Sequence, residues 1–191
     1  MTTSRAHPKA NVLNFAVPIA VIILAVLGGL FWIKAEIARP TKSPLSGQLK
    51  LGSVLPDFKL TPIQGNVIPV SEIHAKVLLV NFWATWCEAC MSEMPSLVKL
   101  RETFQNRGFE VIGINVDDNP VNIVPKTMKE FKLRFPIFQD LSGELSDLFD
   151  VHAIPLTVVM DQQRKVLLVH DGGRDWNSKE VQSQMERWLS Q

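Results

Sequence analysis

The chain has 191 residues, 46% hydrophobic and 20% charged, a balance that excludes a disordered or collagen-like polymer. Its formal net charge of +1 leaves no electrostatic footprint for nucleic acid as a partner. With two cysteines, Cys87 and Cys90, it is no disulfide-dense scaffold, and four scattered histidines (His7, His74, His152, His170) match no zinc-binding spacing.

Residues 1–11 form a short tail. Val12 to Ile33 then has 18 apolar residues of 22, interrupted only by Asn14, Pro18, Gly28 and Gly29. At about 1.5 Å per residue the run spans roughly 30 Å, the hydrocarbon thickness of a bilayer. A secretory apolar region is usually shorter, about 7–15 residues, and no clean A-x-A cleavage site follows. A buried core helix is not apolar all round for this length. Residues 12–33 are therefore expected to be an uncleaved, single-pass anchor in the lipid bilayer, with Trp32 at one interface. Pro18 is tolerable near an end, where few helical hydrogen bonds are disturbed.

Charge divides the chain. Residues 1–42 hold five Lys/Arg against Glu36, or +4, so the remaining 149 residues hold 15 basic and 18 acidic groups, or −3. Arg5 and Lys9 precede the apolar run while Lys34, Arg39, Lys42 and Lys50 follow it, a Lys/Arg count that mildly favours a cytoplasmic body. Residues 34–50, polar and broken by Pro40, Pro44 and Gly47, read as a linker.

From residue 51 to 191, strand and helix patterns alternate. Lys76 to Trp83 holds the run Val77-Leu78-Leu79-Val80, suited to a strand covered on both faces. A helix follows from about Cys87 to Gln105, with Met91, Met94, Leu97, Val98, Leu100 and Phe104 at helical spacing and Gly108 as the stop. Glu110 to Val116 reads as a second buried strand. Asn119 to Arg134 reads as an additional helix, Phe135 to Phe138 as a strand and Ser142 to Phe149 as a short helix. Leu156 to Met160 and Lys165 to His170 form a hairpin across the polar turn 161–164. Asn177 and Glu180 resemble a capping box that opens a final helix with Val181, Met185, Trp188 and Leu189 on its apolar side. The order implies an α/β domain: a mixed sheet with helices on both faces.

Cys87 and Cys90 lie two residues apart where a buried strand gives way to a helix. At the helix N-terminus, free N–H groups and the dipole favour the Cys87 thiolate. Cys90, about one turn in, faces the protein. Cys87 is thus the attacking thiol and Cys90 the resolving one. A structural zinc site lacks further cysteine ligands. A structural disulfide closing so short a loop constrains little of the unfolded chain.

The stretch Val80-Asn81-Phe82-Trp83-Ala84-Thr85-Trp86-Cys87-Glu88-Ala89-Cys90, with Pro95 beyond it, resembles the active site of the thioredoxin fold. More narrowly, it resembles the membrane-anchored TlpA/ResA/CcmG group of thiol–disulfide oxidoreductases. The likeness covers about residues 50–190, including Leu55-Pro56-Asp57-Phe58, the extra segment near 119–135 and Ala153-Ile154-Pro155-Leu156-Thr157. It implies a cis proline at Pro155 facing the cysteines; an ordinary trans proline at a strand start is the alternative. Leu156 departs from the family's usual threonine.

The resemblance further implies reduction of protein disulfides, typically the oxidised haem-binding cysteine pair of apocytochrome c, with electrons from a membrane donor of the CcdA or DsbD type. It also implies a redox-active Cys87–Cys90 disulfide. An oxidising compartment would otherwise keep that pair oxidised, which places the body on the extracytoplasmic, periplasmic side of the bacterial cytoplasmic membrane against the Lys/Arg count. A long domain can translocate largely regardless of charge. No cofactor and no metal are expected. Two thiols are all this chemistry needs.

Local charge bears on the direction of electron flow. Glu88 lies between the cysteines and Glu93 three residues past Cys90; both, if ionised, disfavour the Cys87 thiolate and offset the helix dipole. The reduced form is then not specially stabilised, as suits a reductant. Thioredoxins carry an acidic residue at the strand position of Asn81, which cannot titrate. In the ResA-like group a glutamate implicated in active-site chemistry stands at the place of Glu93; the alternative is a solvent-facing carboxylate of a first helical turn. Trp86 is expected to shield the pair, and Trp83 to serve either the core or the substrate.

Two other functions compete. A Sco-like copper metallochaperone would use three residues between its cysteines and a distal histidine, a role open only to His170. A peroxiredoxin needs P-x-x-x-[ST]-x-x-C, and Val80 and Ala84 fail both requirements.

Overall fold

A computed structural model describes residues 49–191; the expected tail, the anchor at 12–33 and all but the last two linker residues lie outside the described residues. Among the described residues, no helix is long and apolar enough to cross a membrane.

The expected central strand is β3 (Val77–Trp83), and all seven of its residues are buried. Alternation divides them between two cores. Val77, Leu79 and Trp83 pack under α1 (Glu88–Phe104), while Leu78, Val80 and Phe82 face the opposite layer. β4 (Phe109–Asn115) runs parallel to β3 on one side, and β6 (Leu156–Asp161) runs antiparallel on the other. β5 (Ile137–Gln139) continues the parallel set beside β4, and β7 (Val166–Asp171) closes the far edge as the hairpin partner of β6.

Two strands were not foreseen. β1 (Lys59–Pro62) and β2 (Ile68–Pro69) pair with each other, and β1 pairs antiparallel with β5, giving the order β2-β1-β5-β4-β3-β6-β7. Neither is long enough to show alternation, and each ends in a proline, which fits an edge.

Met94, Leu97, Leu100 and Phe104 fasten α1 to the sheet, each side chain at most 2% exposed. Each such burial stabilises by about 1.5–3 kcal/mol. The same face receives α2 (Pro120–Glu130) through Val124 and α4 (Lys179–Leu189) through Val181, Met185 and Leu189. The other face is covered by α3 (Glu144–Leu148) and by Leu55, Phe58 and Leu60. Helices thus lie on both faces of a mixed sheet, as the alternation implied.

Three boundaries differ from expectation. α2 stops four residues before Arg134: Phe131 caps it and Lys132 adopts a left-handed φ of 53°. β5 begins at Ile137 rather than Phe135, because Pro136 cannot donate to a ladder. The cap of α4 is Ser178, whose hydroxyl accepts from the Val181 N–H at 3.4 Å; Asn177 instead accepts from the Gln182 side chain. The capping-box reading was one residue early.

Candidate active site

At the C-terminal end of β3 the chain turns through Ala84-Thr85-Trp86 into α1. Asp117, after β4, holds that turn. Its buried carboxylate accepts from the Thr85 N–H at 3.0 Å and hydroxyl at 3.0 Å, and from the Asn115 amide at 2.7 Å. The Trp83 carbonyl accepts from Val116 N–H, so the ends of the two parallel strands are bound together there.

The turn delivers Cys87 to the N-cap of α1, disulfide-bonded to Cys90 with Cα atoms 5.2 Å apart. The Cys90 N–H donates to Cys87 Sγ at 3.2 Å. In the reduced protein that donor and the helix dipole both favour a Cys87 thiolate. Cys87 is 8% exposed and Cys90 fully enclosed, so of the pair it is the Cys87 sulfur that a partner disulfide meets.

Opposite stands the loop before β6. The Ile154–Pro155 peptide is cis, and Cys87 Sγ lies 3.8 Å from the Ile154 carbonyl oxygen. Leu156 points to the far core, across from Phe82, so the residue departing from the family pattern turns its side chain away from the cysteine face. Thr157 faces α1, directly opposite Asn81.

Trp86 is 71% exposed. It borders an apolar hollow of about 430 Å³ with Val116, Val151 and Ile154, which His152 also lines. Trp83 is entirely core. Glu88 is exposed, so solvent weakens its effect on Cys87. His170 lies on β7 with its ring edge-on to Trp176, centroids 5.6 Å apart.

Glu93 is the residue whose surroundings the sequence least prepared for. It is 3% exposed, not a solvent-facing carboxylate. Asn81 Nδ2 donates to Oε1 at 2.8 Å, while Trp176 Nε1 (2.8 Å) and the Arg174 N–H (3.2 Å) donate to Oε2. The Asn81 amide also donates to Thr157 Oγ1 at 2.9 Å. Burial raises the Glu93 pKa above its ordinary value; the donors oppose that rise without cancelling it. A carboxylate held this way, one helical turn from Cys90, is suited to taking up and releasing a proton. Asn81 occupies the position of the thioredoxin acid, but here orients one supplied by α1.

Similarity to known proteins agrees with this geometry. The AhpC/TSA family profile matches residues 51–169. The thiol-disulfide oxidoreductase ResA of Bacillus thuringiensis subsp. konkukian is 27% identical over 169 residues, 88% of this chain and 92% of the relative. ResA of Bacillus subtilis is 32% identical over 121 residues, 63% of this chain and 67% of the relative. A crystal structure from Chlorobium tepidum, described as a thiol:disulfide interchange protein DsbE, superposes with a TM-score of 0.67 at 27% identity, over 74% of this chain and 99% of that one.

Proposed function

The chain belongs to the AhpC/TSA family and is a thiol–disulfide oxidoreductase of the ResA type, and from that premise we propose a membrane-tethered reductase of protein disulfides. Residues 12–33 hold it in the bacterial cytoplasmic membrane, with the folded domain on the extracytoplasmic side. Its client is the oxidised haem-binding cysteine pair of apocytochrome c, and a CcdA- or DsbD-like transporter supplies its electrons. The observation that carries a reductant is the enclosed Cys90 with a buried carboxylate on the next helical turn.

In the reaction, the Cys87 thiolate attacks one sulfur of the client disulfide and the other leaves as a thiolate. Cys90 gives its proton to the Glu93 carboxylate and attacks Cys87 Sγ. The client's second thiolate departs and is protonated, so two electrons pass from the cysteine pair to the client. The hollow beside Trp86, Val151 and Ile154 receives the client chain flanking its disulfide.

Cys90→Ser stops the sequence at the mixed disulfide. Expressed full-length in its native cell, this variant should accumulate a Cys87-linked adduct that mass spectrometry assigns to an apocytochrome c. Adducts drawn only from unrelated secreted proteins would make it a general oxidoreductase instead.

A further inference from the structure

The loop between β7 and α4 lies along the first turns of α1 with little room to spare. A Cβ on Gly173 would come within 3.2 Å of the carbonyl oxygen of Ala89, one of the two residues between the cysteines. Beyond Gly173 the Arg174 N–H donates to Glu93 Oε2 at 3.2 Å, and Trp176 adds two further links to α1. The Trp176 N–H donates to Ser96 Oγ at 3.0 Å, and the Ser96 hydroxyl donates to the Glu93 carbonyl at 2.7 Å. The second link is the indole itself, with Nε1 on Glu93 Oε2 at 2.8 Å.

Trp176 has only 1% of its surface exposed, and its ring is held on two sides. His170 meets it edge-on, and the Arg174 guanidinium lies 5.1 Å from its ring centroid. A buried tryptophan usually finds a partner for its N–H. Here the partner is a carboxylate with three residues between its own helix position and that of the resolving cysteine's neighbour, Ala89.

We propose that Trp176 is a positioning residue for disulfide exchange: its indole N–H anchors the Glu93 carboxylate and sets the pH at which that group can accept the Cys90 proton. The proposal rests on the role given to Glu93 above. Loss of one hydrogen bond to an ionised, buried carboxylate favours the protonated form, so the group is ready only at higher pH.

Other groups face this site and titrate or carry charge. Lys99 and Asp175 line a cavity of about 490 Å³ shared with Glu93 and Arg174. His170, whose pKa is lowered by burial and then by Arg174, touches the indole. Asn81 and Thr157, on the sheet side, are neutral. A comparison made in the Glu93→Gln background separates Glu93 from all of these, because they remain when the carboxylate is gone. In that variant Asn81 can turn its amide to offer Oδ1, which has no partner in the native protein, to the new amide N–H.

The test is the rate at which the reduced full-length protein, purified in detergent, is oxidised by a disulfide-bonded peptide, followed across pH in single turnover. In the native protein the rate should rise with pH through the Glu93 titration. Trp176→Phe should move that acid limb to higher pH, by about tenfold in proton affinity for one lost charge-assisted bond. Glu93→Gln should remove that limb and leave the separate rise from ionisation of the Cys87 thiol, and the double variant should match Glu93→Gln alone. A Trp176→Phe profile that superimposes on the native one overturns the proposal, as does a shift that persists in the Glu93→Gln background. A limb left intact by Glu93→Gln overturns instead the role of Glu93 itself. The native chain offers a check that needs no tryptophan substitution. The Trp176 indole N–H resonance should show a step with the Glu93 titration that is missing in Glu93→Gln, where only the titration of His170 against the ring remains; a native resonance without that step overturns the proposal.

Discussion

Glu93 sits where two electrostatic effects oppose each other. Burial disfavours its charged form, and donors from Trp176, Asn81 and Arg174 favour it, with burial the stronger. The sign of the consequence follows from linkage. Below the ordinary carboxylate value of 4.5 the folded and unfolded chains are both protonated at this site. As pH rises, the unfolded chain loses its proton first, so stability falls until the folded-state carboxyl has ionised as well. In urea titrations at a series of pH values, native stability should therefore decline relative to Glu93→Gln above that point and then run parallel. Parallel curves throughout would contradict a raised value. Asp117 is a second buried carboxylate, engaged in holding the turn before Cys87. Asp117→Ala leaves the Thr85 N–H without its acceptor and should cost about 1–3 kcal/mol, read as a lower urea midpoint at unchanged m. No change in midpoint would contradict the clamp. The cysteine pair was legible in the sequence because its chemistry is local, a spacing of two at a strand-to-helix junction. The surroundings of Glu93 were not, because Thr157 and Trp176 reach this network from 76 and 83 residues beyond their partners. No periodicity records such a meeting.

Among the elements, β3, β4, β6, β7 and α1 were readable because each buries a long enough face to leave a pattern. β1 and β2 were not, having four and two residues. The early end of α2 and the Ser178 cap turn on single backbone angles and one hydroxyl, which periodicity cannot resolve. β4 carries a constraint of its own at Gly113. A Cβ there would lie 2.7 Å from Ile137 Cδ1 and 2.8 Å from Trp83 Nε1, both inside the core that supports α1. Gly113→Ala should cost about 1–3 kcal/mol by overpacking, measured by chemical denaturation. A neutral or stabilising result would mean that β5 or Trp83 gives way more easily than this packing implies.

At the scale of the whole chain, the near-neutral charge is the sum of a basic N-terminal region of +4 and an acidic body of −3. The apolar run at 12–33 should keep the full chain in the membrane fraction after alkaline extraction, whereas release into the supernatant would contradict an anchor. Thioredoxin-like architecture serves oxidants and reductants alike, so the fold does not decide which way electrons move. What decides it is how far the reduced pair is stabilised. Cys87 has a helix N-terminus and the Cys90 N–H in its favour, against a buried carboxylate on the next helical turn. The most direct test is the reduction potential of the Cys87–Cys90 pair in the full-length protein, equilibrated against a thiol–disulfide buffer. A value near or below thioredoxin's, about −270 mV, is the result a reductase requires; one near about −120 mV, that of a strong oxidant, would contradict it.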